Sequence, residues 1–139
     1  VGSHIGIANE IIINKYGLDN PIYKDKEKKF NSPAFNFDEV KTLPKNAICL
    51  ASNKINKVQS LYFDINKTKV WGLQYHPEIT YEKMISLIKF RKNRLIENRK
   101  VFKSEKDVEN HIIFIKNEIL VANKEKRMLE LKNWLNQIN

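Results

Sequence analysis

The spacing of apolar residues changes once along the chain, near Thr80. Before that point, short runs rich in β-branched residues are separated by turn-forming clusters. After it, apolar positions recur every three to four residues, the spacing of one helix face. Ile5–Ile13 predicts a strand, followed by a turn over Tyr16-Gly17-Leu18-Asp19-Asn20-Pro21 and a Lys-rich connection through Lys29. Phe30–Pro44 reads as irregular, punctuated by Pro33 and Pro44. Ala47–Ala51 predicts a buried strand. Val58–Phe63 and Lys69–Tyr75 predict a hairpin around an Asp64–Thr68 loop, closed by Pro77, which cannot donate to a ladder. Three helices follow. The first starts from an N-cap at Thr80 and carries Met84, Leu87, Ile88, Arg91 and Leu95 on one face. The second starts near Ser104, with Val108, Ile112, Ile115 and Ile119. The third carries Met128, Leu131, Leu135 and Ile138. All three stripes are expected to face a core. The whole predicts an α/β chain, with strands, loops and a His/Glu motif in residues 1–80 and helices in residues 81–139.

Length and composition fit this picture. At 139 residues and 16.4 kDa the chain can bury a core as one domain, and 42% hydrophobic with 29% charged residues fits a soluble globular protein. Apolar runs such as Ile11-Ile12-Ile13 fall far short of the roughly 20 residues of a membrane span, and no export signal opens the chain. A cytoplasmic location without membrane association is therefore expected. Cys49 stands alone and only His4, His76 and His111 accompany it, so neither a disulfide framework nor a metal or cofactor site is expected. The formal charge of +9 comes from 21 Lys and only 4 Arg, spread over both halves of the chain. Lys, Ile and Asn together supply 56 of the 139 residues, the signature of an AT-rich coding sequence. Without an Arg-dense patch interleaved with aromatics, a nucleic-acid partner is not expected.

The segment with most chemical content is Val70-Trp71-Gly72-Leu73-Gln74-Tyr75-His76-Pro77-Glu78. A strand delivers an imidazole and, two residues on, a carboxylate; in extended geometry both project to the same side. Pro77 fixes its own φ and biases His76 toward extended backbone. A carboxylate beside an imidazole can hold its tautomer and stabilise the imidazolium as the base takes a proton. Base and orienter are two members of a nucleophilic triad.

Gly72-Leu73-Gln74-Tyr75-His76-Pro77-Glu78 resembles the His/Glu signature of class I, triad-type glutamine amidotransferases. Phe37-Asp38-Glu39-Val40, then Leu43-Pro44, Ala47, Leu50-Ala51 and Asn53, resembles the family segment upstream of the histidine. Ile5-Gly6-Ile7-Ala8 and Arg127–Leu135 are similar to the stand-alone branch related to the glutaminase part of GMP synthase. The resemblance implies a flavodoxin-like α/β amidotransferase fold that releases ammonia from glutamine through a Cys-His-Glu triad. His76 would be the base and Glu78 its orienter, with Asn36 and Asp38 framing the substrate. Asn36 stands where relatives have His, and Asn36 and Asp38 equally read as turn formers before a short helix.

The family's Gly-x-Cys-x-Gly elbow is missing. Cys49, between Ile48 and Leu50, is expected to be a buried, inert thiol, and Ser3 in Val1-Gly2-Ser3-His4 lacks elbow spacing. The expectation is a carboxyl-terminal amidotransferase portion, inactive until a Cys-bearing portion or partner chain completes it, or else settled as a homo-oligomer. A γ-glutamyl hydrolase and a non-catalytic binding or structural subunit of the same fold remain alternatives.

Overall fold

The computed structural model describes residues 3–138; the Val1-Gly2 part of the opening motif lies outside them. The strands are β1 (His4–Ile5), β2 (Ala8–Ile13), β3 (Lys29–Ser32), β4 (Phe35–Asn36), β5 (Ile48–Ser52), β6 (Ser60–Ile65) and β7 (Thr68–Leu73). The helices are α1 (Lys15–Leu18), α2 (Tyr81–Phe90), α3 (Glu105–Val121), α4 (Lys124–Arg127) and α5 (Leu129–Ile138). A five-stranded sheet runs β3-β2-β5-β6-β7 with every neighbour antiparallel, and β1 pairs with β4 in a second, two-stranded ribbon.

The run read as one strand from Ile5 to Ile13 is divided at Gly6, whose φ is +86°. A Cβ there would stand 2.7 Å from Ile115 Cδ1 and 2.8 Å from Ile88 Cδ1, so glycine is required by backbone conformation and by the closeness of both helices. The break separates two cores. Ile5 and Ile7 join Tyr81, Ile85, Ile88, Leu95, Val108, Ile112 and Ile115 beneath α2 and α3. Ala8, Ile11 and Ile13 join Ile22, Tyr23, Ala34, Leu50, Ala51 and Tyr75 in a second core built on the sheet.

Several local expectations are corrected. Residues 30–44 are not wholly irregular: Lys29–Ser32 pairs with β2 and Phe35–Asn36 with β1. Pro33, lacking an N–H, sits between the two pairings, where none is demanded of it. The turn after β2 contains α1, capped by the Asn14 side chain, and a 3₁₀ turn at Pro21–Tyr23 capped by Asn20. The hairpin loop narrows to Asn66-Lys67, both with positive φ (47° and 67°), the geometry that matches strand twist in a two-residue connection. β7 ends at Leu73, so Pro77 lies beyond it.

Thr80 caps α2 by accepting from Lys83 N at 3.2 Å, and Ser104 caps α3 by accepting from Asp107 N at 3.3 Å. The first helical stripe is interrupted after Phe90, and Leu95 reaches the core from a π-helical turn at Arg94–Asn98. The third stripe is corrected in part: Met128 and Leu131 are half-buried, but Leu135 and Ile138 are exposed. On α5 the buried residues are Glu130 and Asn133, whereas Trp134, Leu135 and Ile138 face solvent.

Candidate active site

The geometry around residue 76 begins with its neighbour. Tyr75 is 2% exposed, its ring set edge-on to Phe30 at 5.6 Å. Its hydroxyl pairs with Tyr23 Oη at 2.8 Å, which in turn meets Ser60 Oγ at 2.6 Å. Burial pushes both phenols well above their ordinary range, so they stay protonated. With Tyr75 anchored inward, the next side chain turns outward. His76 N donates to Pro33 O at 2.7 Å, and Ile79 N donates to His76 O at 3.2 Å, closing a turn whose second position is Pro77.

Across this turn His76 Nδ1 and Glu78 Oε1 are 2.8 Å apart, with side chains 41% and 49% exposed. An ionised carboxylate only accepts, so Nδ1 carries the proton and Nε2 presents the lone pair. The two side chains thus meet as the motif predicts, but by a different route. The turn past β7, not an extended strand, brings positions 76 and 78 to one side. An open concavity of about 500 Å³ begins at Glu78 and is lined by Ile79, Thr80, Lys83, Met84 and Leu87. A second of about 510 Å³, lined by Lys26, Phe30, Glu118 and Arg127 among others, shares no residue with it.

Arg127 of α4 completes the surroundings. Its Nη1 donates to Pro77 O at 2.8 Å and to Ile79 O at 2.7 Å. In sequence Arg127 reads only as the start of a closing helix, since a lone arginine in a Lys-rich segment looks solvated. No local signal marks a contact to a turn some 50 residues away.

Asn36 and Asp38 are held to each other: Asn36 Nδ2 donates to Asp38 O at 2.7 Å. No helix follows them, contrary to the turn-before-helix reading. Cations flank the adjacent rings, with the Arg91 guanidinium 5.2 Å from the Phe35 ring and that of Arg99 4.2 Å from Phe37. The connection from this segment to His76 runs through the Pro33 carbonyl. Cys49 lies within β5 opposite Leu61, with Sγ 3.4 Å from both Ala51 O and Lys57 O. It is half-buried, not buried as its apolar neighbours suggest, and desolvation pushes its thiol up. Among the described residues no group of three or more His, Cys, Asp or Glu could hold a metal, and no helix is long and apolar enough to cross a membrane.

The fold is that of amidotransferase domains. The crystal structure of SMU.1228c superposes with a TM-score of 0.66 at 15% identity, covering 98% of this chain and 52% of that one. A glutamine amidotransferase from Thermotoga maritima superposes with a TM-score of 0.59 at 19% identity, covering 98% and 50%. In sequence, the chain is 34% identical over 77 residues to a subunit of the glutamine-hydrolyzing GMP synthase of Methanocaldococcus jannaschii, covering 53% of this chain and 39% of that protein. It is 32% identical over 73 residues to gamma-glutamyl-L-1-hydroxyisopropylamide hydrolase of a Pseudomonas species, covering 52% and 24%. No family model matches. The chain therefore spans well under half the length of these curated relatives and about half of the two solved structures. In sequence and in fold the chain is thus similar to class I glutamine amidotransferases.

Proposed function

We propose that the chain supplies the histidine and carboxylate of a glutamine-hydrolysing site whose cysteine resides in another portion of the domain. The observation that carries this reading is the 2.8 Å contact between His76 Nδ1 and Glu78 Oε1, both side chains part-exposed, a contact that leaves Nε2 unused. In this scheme Nε2 takes the thiol proton, and sulfur attacks the side-chain amide carbon of glutamine. The imidazolium then protonates the leaving nitrogen, the C–N bond breaks, and ammonia departs from a γ-glutamyl thioester. The neutral imidazole next takes a proton from water, which cleaves the thioester to glutamate. Glu78 holds the productive tautomer and offsets the imidazolium charge. Asn36 and Asp38 shape the binding face for the substrate's α-amino and carboxylate groups. Similarity to a protein named as one subunit of a synthase supports a separate partner that consumes the ammonia.

A second substrate, a γ-glutamyl amide other than glutamine, is favoured by the similarity to the Pseudomonas hydrolase. The acyl chemistry is the same and only the leaving amine differs. The test is ammonia or amine release by the chain alone and when completed by a cysteine-bearing portion. The chain alone is expected to show background release. The completed enzyme is expected to turn over, and His76→Ala to lower kcat by about 10²–10⁴. Robust turnover by the chain alone, or a His76→Ala enzyme with unchanged rate, refutes the reading. The ratio of kcat/KM for glutamine and a γ-glutamyl alkylamide decides between the two substrates.

A further inference from the structure

The His76-Pro77-Glu78-Ile79 turn is the least supported place to put a geometry-sensitive pair. The two side chains of the pair are 41% and 49% exposed, so packing orients them only in part. Pro77 fixes one φ, and the His76 N to Pro33 O bond fixes where the turn begins. What fixes its far side is Arg127, whose Nη1 lies between the carbonyls of Pro77 and Ile79. Those carbonyls bracket Glu78. A planar guanidinium that binds both sets the peptide plane before Glu78 and the backbone just after it, and so sets the direction of its carboxylate toward His76.

Arg127 is itself held in place. The segment is capped where Asn123 Oδ1 accepts from Lys126 N at 3.0 Å. Three residues beyond Arg127, the buried Glu130 pairs with Lys26 at 2.6 Å. Three further on, the buried Asn133 donates to Ile22 O and Lys24 O, both at 2.9 Å. Glu130 and Asn133 share one face of α5, and Arg127 ends α4 just before it. This face docks through polar contacts of fixed geometry while Trp134, Leu135 and Ile138 point away. Such contacts tolerate one register only, because a slip by one residue leaves a buried charge unpaired.

We propose that Arg127 is a positioning residue for the His76–Glu78 pair, acting through the backbone of the turn that carries them. The proposal rests on reading that pair as the amidotransferase base and its orienter. It assigns the closing helical segment a role in the site without placing it against substrate.

The test reads the imidazole of His76 directly, by ¹⁵N chemical shifts of the folded 139-residue chain. In the native chain the shifts should report one tautomer, protonated at Nδ1. Arg127→Met, which keeps the stem and loses the donors, should move both ring nitrogens toward the average of two tautomers, as Glu78→Gln should. Arg127→Lys should restore most of the native pattern. Leu135→Ala, on the exposed face of the same helix, should leave the His76 shifts in place. Should Arg127→Met fail to fold, Arg127→Gln, too short to bracket both carbonyls, carries the same expectation. In the completed enzyme Arg127→Met should lower kcat about tenfold with little change in KM. Native His76 shifts in the Arg127 variants, or equal displacement in Leu135→Ala, overturn the positioning role. A single tautomer released by Arg127→Met, in a completed protein with no hydrolase activity, refutes the proposed function and leaves the clamp standing.

Discussion

Lys26 and Glu130 form an ion pair at 2.6 Å with side chains 4% and 0% exposed, and its two halves should not be equally replaceable. At an effective dielectric of about 20 their attraction is about 6 kcal/mol, and several kcal/mol of desolvation per ion opposes it. Desolvation wins for both: it pulls the Lys26 ammonium below its ordinary range and pushes the Glu130 carboxyl above its own. The ammonium has further support, donating to Lys126 O at 2.8 Å and standing 4.4 Å from the Phe30 ring centroid. Lys26→Met therefore strands a buried carboxylate and should cost about 3–5 kcal/mol. Glu130→Gln keeps an oxygen for the ammonium to donate to and should cost about 1–3 kcal/mol. The double replacement Lys26→Met/Glu130→Leu should lie near the native stability, since no buried charge remains. The signs also predict a pH response. A lysine with a lowered folded pKa binds fewer protons folded than unfolded, so stability rises as pH climbs from the folded value toward 10.5. Removing the carboxylate lowers the folded value further, and Glu130→Gln should regain stability relative to the native chain as pH rises from neutral toward 10.5. Urea unfolding followed by circular dichroism measures all three variants. The reasoning fails if Lys26→Met costs under about 1 kcal/mol, or if the double variant is no more stable than Lys26→Met alone.

His4 is buried at 2% exposure, with Nε2 accepting from Gln59 Nε2 at 2.8 Å, and desolvation lowers its pKa below 6.5. The unfolded chain then binds the extra proton first, so stability should fall as pH drops below 6.5, by up to about 1.4 kcal/mol per pH unit. His4→Gln should flatten that part of a pH-dependent melting series; an unchanged slope would assign it to other groups. Gly6→Ala should destabilise by about 2–4 kcal/mol in denaturant titration, combining left-handed backbone with overlap against Ile115 and Ile88. A loss below about 0.5 kcal/mol would mean that the helices move aside. The Cys49 thiol, raised by desolvation, should react with iodoacetamide near neutral pH several-fold more slowly in the folded chain than in urea; equal rates would contradict its half-buried position.

The strands at 48–52, 60–65 and 68–73 and the caps at Thr80 and Ser104 were legible because their signals are local: β-branched runs, turn residues and a hydroxyl before a helical period. So was the meeting of His76 with Glu78, although a turn through Pro77, and not an extended strand, brings the two together. The short strands β3 and β4 were not legible, because each exists through a partner over 15 residues away, and nothing in Lys29–Ser32 announces one. The inverted closing helix misled for a related reason. Its apolar stripe is real, but apolar spacing states only which residues share a face, not which face finds a partner. Here Lys26 and the carbonyls of Ile22 and Lys24 offered Glu130 and Asn133 bonds of defined geometry, and Arg127 was carried with them to the turn. What the residues alone determined about this protein is a resemblance to one family and the nearness of one imidazole to one carboxylate, both written in neighbours along the chain. What tertiary structure decided is how that pair is held, because backbone carbonyls carry no side-chain signature and recruit their donors only once the chain has folded back upon itself.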